Sequence, residues 1–183
     1  QLVINQQRTQ NMKITLKNIK YAAFASQETS CFEATIYLDG KRLCIVSNEG
    51  RGGCDDYQPV TTSAGDSKAT YDTIRKIDSE LSKETIKCSW IDEVTKEPAT
   101  MPNSLESVVS GLLNDWHHQK GIKKILKALV YVKPDCEKGQ YYIAKPTRAA
   151  TTANIQLIKR APWWDESNII LNELSISEAG AYL

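Results

Sequence analysis

Apolar and polar positions alternate first at Ile14 and Leu16, which stand between polar neighbours and predict a strand with one face buried. The run "CFEATIYLDGKRLCIVSN", Cys31 to Asn48, repeats the alternation on both sides of Asp39-Gly40. That dipeptide supplies the positive φ angles of a two-residue hairpin turn. Pairing outward from it sets Ile36 opposite Leu43 and Ala34 opposite Ile45, with Phe32 on the same apolar face. Glu33, Thr35 and Tyr37 meet Val46, Cys44 and Arg42 on the mixed face. A third period, 3.6 rather than 2, enters with "DSKATYDTIRKIDSELSKE": Tyr71, Ile74, Ile77 and Leu81 mark one stripe of a helix that Asp66 or Ser67 can cap.

The stretch "TIKCSWIDEV" reads as a short strand and "TKEPATMP" as a loop, so 61–103 is expected to be a less regular insertion. A longer helix follows, with Asn103 and Glu106 as a capping box after Pro102 and a buried stripe of Leu105, Val108, Leu112 and Trp116. Gly121 is expected to end or interrupt it, before a further turn or two in "IKKILKAL". "ALVYVKPDCEKGQYYIAK" predicts a second hairpin turning near Lys138-Gly139, "RAATTANIQLIKR" a short helix, and "SEAGAYL" an apolar closing element. The fold class is therefore α+β: an antiparallel sheet built from hairpins, covered on one face by two or three amphipathic helices.

Composition changes this picture little. A 183-residue chain, 41% hydrophobic and 25% charged, lies in the ordinary globular range and buries a sizeable core. One domain over 12–183 is the expectation. The Gln- and Asn-rich leading segment, 1–11, precedes Met12 and reads as a disordered extension or a cloning remnant, with Met12 the natural start. A net charge of +1 gives no global field for nucleic acid, so a charge-driven partner must use a local patch. No run reaches the twenty or so apolar residues that cross a bilayer, and the leading residues lack a signal peptide's apolar core, so a cytoplasmic location and no membrane role are expected. Cys31, Cys44, Cys54, Cys88 and Cys136 are widely spaced without a Cys-x-x-Cys pair and read as free thiols.

The stretch richest in candidate chemistry is "SNEGRGGCDDYQPV", Ser47 to Val60. Its three glycines and Pro59 read as a loop leaving the sheet, and loops held on rigid strands commonly carry binding residues. Asn48, Glu49, Gly50, Arg51, Gly52, Gly53, Asp55, Asp56 and Tyr57 form the candidate binding surface. The glycines suggest a phosphate cradle, but the G-x-x-x-x-G-K-[ST] spacing is absent and the acids repel an anion. Glu49, Asp55 and Asp56, with Glu33 nearby in the hairpin, are hard ligands suited to Mg²⁺ or Mn²⁺ in phosphodiester hydrolysis. Cys54 with His117 or His118 is a conceivable thiol–imidazole pair, although the neighbouring acids disfavour its thiolate. His117, His118, Lys120, Lys123, Lys124 and Lys127 form a candidate nucleic-acid patch, though a solvated helix face has the same composition. Trp163-Trp164 is either a core anchor or an interface.

The run "MKITLKNIKYAAFASQETSCFEATIYLDGKRLCIVSNEGRGGCDDY" resembles the opening of a family of small uncharacterised proteins encoded by bacteriophages, prophages and plasmids, and the later "LLNDW" is similar to it too. The resemblance implies a genomic setting rather than a reaction. Arg51 stands where the resemblance leads one to expect a histidine, which counts against a mechanism needing an imidazole there. The expectation is an accessory protein that binds a host or phage protein, with no cofactor. The alternative is a metal-dependent phosphodiesterase or nuclease.

Overall fold

The computed structural model describes residues 8–9, 12–60, 64–145 and 149–183. Where one body over 12–183 was expected, the chain forms two compact units, 1–114 and 115–183. The division falls inside a single helix.

The first unit is built on a five-stranded antiparallel sheet in sequential order: β1 Arg8–Thr9, β2 Met12–Tyr21, β3 Cys31–Leu38, β4 Lys41–Glu49 and β5 Asp56–Pro59. The rest of the leading segment lies outside the described residues. Asp39 and Gly40 both have positive φ, 49° and 81°, and pair Leu38 with Lys41 and Tyr37 with Arg42, as their turn chemistry requires. The register then slips by one: Ile36 pairs with Cys44 rather than Leu43, and Ala34 with Val46 rather than Ile45. Both parities of β4 are apolar, so pairing outward from the turn did not determine which would be buried. A bulge at Leu43 exchanges one set for the other. Cys44 and Val46 are wholly buried beside Ile14, Leu16, Phe32, Ala34 and Ile36, while Leu43 and Ile45 are only partly covered.

The segment after β4 does not leave the sheet. It turns at Gly50 and returns as β5, pairing Ser47 with Asp56, Val46 with Tyr57 and Cys44 with Pro59. Pro59 is tolerated because β5 is an edge strand and its last residue needs no outward ladder bond.

Helix α1, Ala64–Leu81, buries Ile74, Ile77 and Leu81 and meets the sheet at β5. Its start precedes Asp66 and Ser67, which lie in the first turn, and Tyr71 is exposed, off the buried stripe. Next comes an antiparallel ribbon, β6 Thr85–Ile91 and β7 Pro98–Pro102, whose register shifts between Lys87 and Ile91, so the expected loop at Pro98 is a strand. Helix α2, Leu105–Ile125, starts one residue later than the Asn103–Glu106 box requires: the Ser104 hydroxyl accepts from Ser107 N at 3.1 Å. The first helical N–H, Leu105 N, is held by Asp78 Oδ1 of α1 at 2.7 Å. Leu105, Val108, Val109, Leu112 and Leu113 are buried.

In the second unit α2 runs on through Gly121 unbroken. Trp116 is half-buried with the Lys120 ammonium 4.6 Å above its ring, a capped surface residue rather than a member of the buried stripe. A three-stranded sheet follows in the order β10-β8-β9: β8 Val130–Val132, β9 Tyr142–Ile143 and β10 Ile169–Ile170. The expected second hairpin is β8–β9. Helix α3, Thr152–Lys159, buries Ile155 and Ile158, and α4, Ile176–Gly180, buries Ala179 beside Ile122, Val130, Val132 and Leu171. Asn172 joins these parts, accepting from Val130 N at 2.7 Å and donating to the carbonyls of Leu126 and Ala128 at 2.8 and 2.9 Å.

Candidate functional site: the glycine turn and its brace

The turn between β4 and β5 is braced by residues 22–30, a strap joining β2 to β3. Gly50 is buried with φ of 82° and its carbonyl accepts from Gln27 N at 2.8 Å, Glu28 N at 3.0 Å and Thr29 N at 3.4 Å. A Cβ at Gly50 would meet the Ala25 carbonyl oxygen and, at 2.8 Å, the Cys31 Cβ, so only glycine fits on both counts. Gly52 N donates to Thr29 Oγ1 at 3.3 Å.

Asn48 ties the turn together. Its Oδ1 accepts from Thr29 Oγ1 at 2.7 Å and from Gly50 N at 2.9 Å, while its Nδ2 donates to Asp55 Oδ1 at 3.0 Å and Gly53 O at 3.3 Å. An amide is the side chain suited to this place, since it offers donors and an acceptor at once. Asn48 is therefore a strut rather than a contact residue.

The nine residues expected on one surface divide between two environments. Arg51, Gly52, Gly53, Glu49 and Asp56 are exposed, as is Cys54 beside them. Gly50 is buried, and Asp55 and Tyr57 are partly covered. Tyr57 pairs with Val46 on the core side of the sheet, and its hydroxyl is buried with no hydrogen-bond partner among the described residues. Burial, and then the negative charges of Asp55, Glu106 and Asp78, hold its pKa far above the usual tyrosine range. Burial also raises Asp55; the Asn48 hydrogen bond opposes this and Glu106 reinforces it.

The carboxylates do not converge. Asp56 pairs with Ser47 and Glu49 with Cys31, which puts both on the outer face, whereas Asp55 turns to Asn48. Glu33 is occupied by Lys20 at 2.8 Å, and Asp56 by Gln58 Nε2 at 2.8 Å. Among the described residues no three His, Cys, Asp or Glu side chains stand together as a metal site. The ligand set expected from Glu49, Asp55 and Asp56 is thus not assembled: strand alternation separates residues adjacent in sequence.

Cys54 belongs to the first unit, and His117 and His118 to the second. All five cysteines are free thiols. On α2, His117 is partly covered, and burial followed by the Lys120 charge lowers its pKa. His118, Lys120, Lys124 and Lys127 are exposed and Lys123 partly so, a solvated helix face with Lys120 engaged on Trp116. Trp163 is exposed, and Trp164 packs as a core anchor against the cluster of Leu129, Tyr131 and Ile155.

One residue of this site was not marked in the sequence. Phe24 lies in a 3-10 turn of the strap, Ala23–Ala25, and is 92% exposed, next to the Ala25 carbonyl that lies against Gly50. A phenylalanine between alanines carries no local signal of exposure. Its position follows only from the strap's attachment to the turn. In comparison with known proteins, no family model matches this chain, and neither a curated protein nor a solved structure does. Among the described residues no helix is long and apolar enough to cross a membrane.

Proposed function

We propose that this chain is a binding protein that engages another protein through the face formed by Phe24, Arg51 and the exposed rim of the glycine turn. The observation that carries the reading is the brace: a turn held by Asn48, Thr29 and the Gly50 carbonyl presents Arg51 to solvent, and the strap bonded to that turn leaves Phe24 in water. Ordering the turn in advance removes an entropic cost of association. An arginine and an aromatic ring are the residue types that dominate protein interfaces. Arg51 makes no ion pair among the described residues, so its charge is available to a partner acid. The bacteriophage, prophage or plasmid setting implied by the sequence resemblance favours a host or phage protein in the bacterial cytoplasm as that partner; this step is analogy.

Affinity capture from a bacterial lysate, quantified by mass spectrometry, tests the reading with Phe24→Ala and Arg51→Ala beside the wild type. The expected outcome is one partner retained by the wild type and reduced at least tenfold by either substitution, with the melting temperature unchanged because both side chains are solvated. Equal capture by all three proteins overturns it.

A further inference from the structure

A cleft of about 400 Å³ opens within the second unit, bordered by the end of α3, the segment after it and β10. That size lies within the range of small-ligand sites. Ile169, Ile170 and Leu174 give it an apolar wall. Trp164 lines it too, while packing on the cluster that contains Leu129 and Tyr131. The indole meets Tyr131 and Trp163 at steep angles of 63° and 68°, so among the described residues no ring is stacked on it.

The polar part of the lining is one lysine, two glutamates and an asparagine. Lys159 is engaged within the protein, its ammonium 2.9 and 2.8 Å from the two carboxylate oxygens of Glu173. Glu166 and Asn168 differ from that pair, because neither side chain has a hydrogen bond or ion pair among the described residues. Glu166 is exposed and stands in a turn fixed by Asp165, whose Oδ1 accepts from Ser167 N at 2.8 Å and from Ser167 Oγ at 2.6 Å.

The cleft therefore holds one excess negative charge beside an indole. An anion entering it is repelled by Glu166 and finds the lysine already paired. A cation meets a free carboxylate and the side chain whose π-face attracts positive charge most strongly. The chain uses the same attraction elsewhere: lysine ammoniums lie 4.2, 4.6 and 4.7 Å over the rings of Tyr37, Trp116 and Tyr142. Among the described residues Trp164 has no such cation over it.

We propose that this cleft binds an organic cation, an ammonium or guanidinium group on an apolar stem, with its charge against Glu166 and Trp164 and its stem along Ile169 and Leu174. The Asn168 amide oxygen supplies a further acceptor for its N–H groups. A free amine and the basic side chain of a peptide present this same chemistry. The site belongs to the second unit, and it stands or falls separately from the partner-binding reading at Phe24 and Arg51.

Heteronuclear NMR titration of the full chain with n-butylguanidinium tests it, with pentanoate as a probe of similar length and opposite charge. The assigned indole N–H of Trp164 and the backbone amides of 166–170 are the signals to follow. Butylguanidinium is expected to move them along one saturable curve, and pentanoate to leave them in place. Glu166→Gln removes the charge from an exposed side chain, and is expected to weaken binding about fivefold with the melting temperature unchanged. N-acetyl-arginine-methylamide separates the two sources: tighter binding than butylguanidinium marks a peptide side chain, and equal or weaker binding a free small cation. Saturation by pentanoate at the same concentrations overturns the proposal. So does an unchanged affinity in Glu166→Gln, or no movement of these signals at tens of millimolar butylguanidinium.

Discussion

Gly50 and Gly53 sit three positions apart in one turn, both with positive φ, and a methyl group would meet different things at each. At Gly53 it would enter open space, so Gly53→Ala carries only the backbone penalty of a left-handed alanine, about 1 kcal/mol. At Gly50 it would press on the Ala25 carbonyl and the Cys31 Cβ, and Gly50→Ala is expected to cost about 3 kcal/mol in urea unfolding. Equal losses would show that the strap yields. Asp55 makes a second test. Its folded pKa lies above its unfolded value because burial disfavours the carboxylate, so the native state holds the proton more tightly. Stability from this group is therefore greatest below the ordinary aspartate pKa and falls as pH rises through the window above it. Asp55→Asn keeps an oxygen acceptor for Asn48 Nδ2 and removes the charge. It is expected to be more stable than the wild type at about pH 7, with the difference gone at about pH 3.

The elements depend on partners brought from far along the chain. The first N–H of α2 is satisfied by Asp78, 27 residues earlier, on α1. Asp78→Ala is expected to cost about 1 kcal/mol, as loss of a helix cap does, and Asp78→Asn less, because the amide oxygen can still accept. Equal stability of Asp78→Ala and the wild type would mean that water replaces the carboxylate without loss. β4 owes its register to the same kind of dependence: Leu43 with Ile45 and Cys44 with Val46 were both suitable, and the set now covered is the pair opposite Ile36 and Ala34. β5 exists because Gly50 can turn sharply over Ala25. Without that reversal, Tyr57 and Pro59 would have no strand to join.

Across the whole molecule, the wholly buried Cys44 thiol reports on the opening of the first unit. Burial raises its pKa to about 11, so it is both shielded and protonated in the native state, whereas Cys54 is exposed. Timed labelling with a thiol reagent at neutral pH, read by peptide mass spectrometry, is expected to modify Cys54 at once. Cys44 should react only at a rate that rises with denaturant as global unfolding does. Labelling of Cys44 as fast as Cys54 would place β4 in a locally opening region. The division into two units is consistent with the distribution of chemistry: the braced turn and the ribbon lie in residues 1–114, and the exposed lysine face of α2 and the aromatic pair Trp163-Trp164 in 115–183.

Legibility followed the range of the interaction. Asp39-Gly40 dictated a turn, the stripe of Ile74, Ile77 and Leu81 dictated a helix, and strands paired across short turns followed, because each signal is contained within a few residues. The α+β class followed from those elements. The glycine segment was recognisable as special for the same reason: three glycines and three acids within a few positions disfavour a regular element. Its inner and outer residues were not separable in advance. Asn48, Gly50, Asp55 and Tyr57 turn inward because Thr29, Ala25 and Val46 come to meet them, and Phe24 stays in water because the strap holds it there. Side-chain alternation along a strand is local chemistry. Which parity is covered, which turn is braced and which ribbon is left bare depend on pairing between distant segments, and that is fixed only when the chain closes on itself.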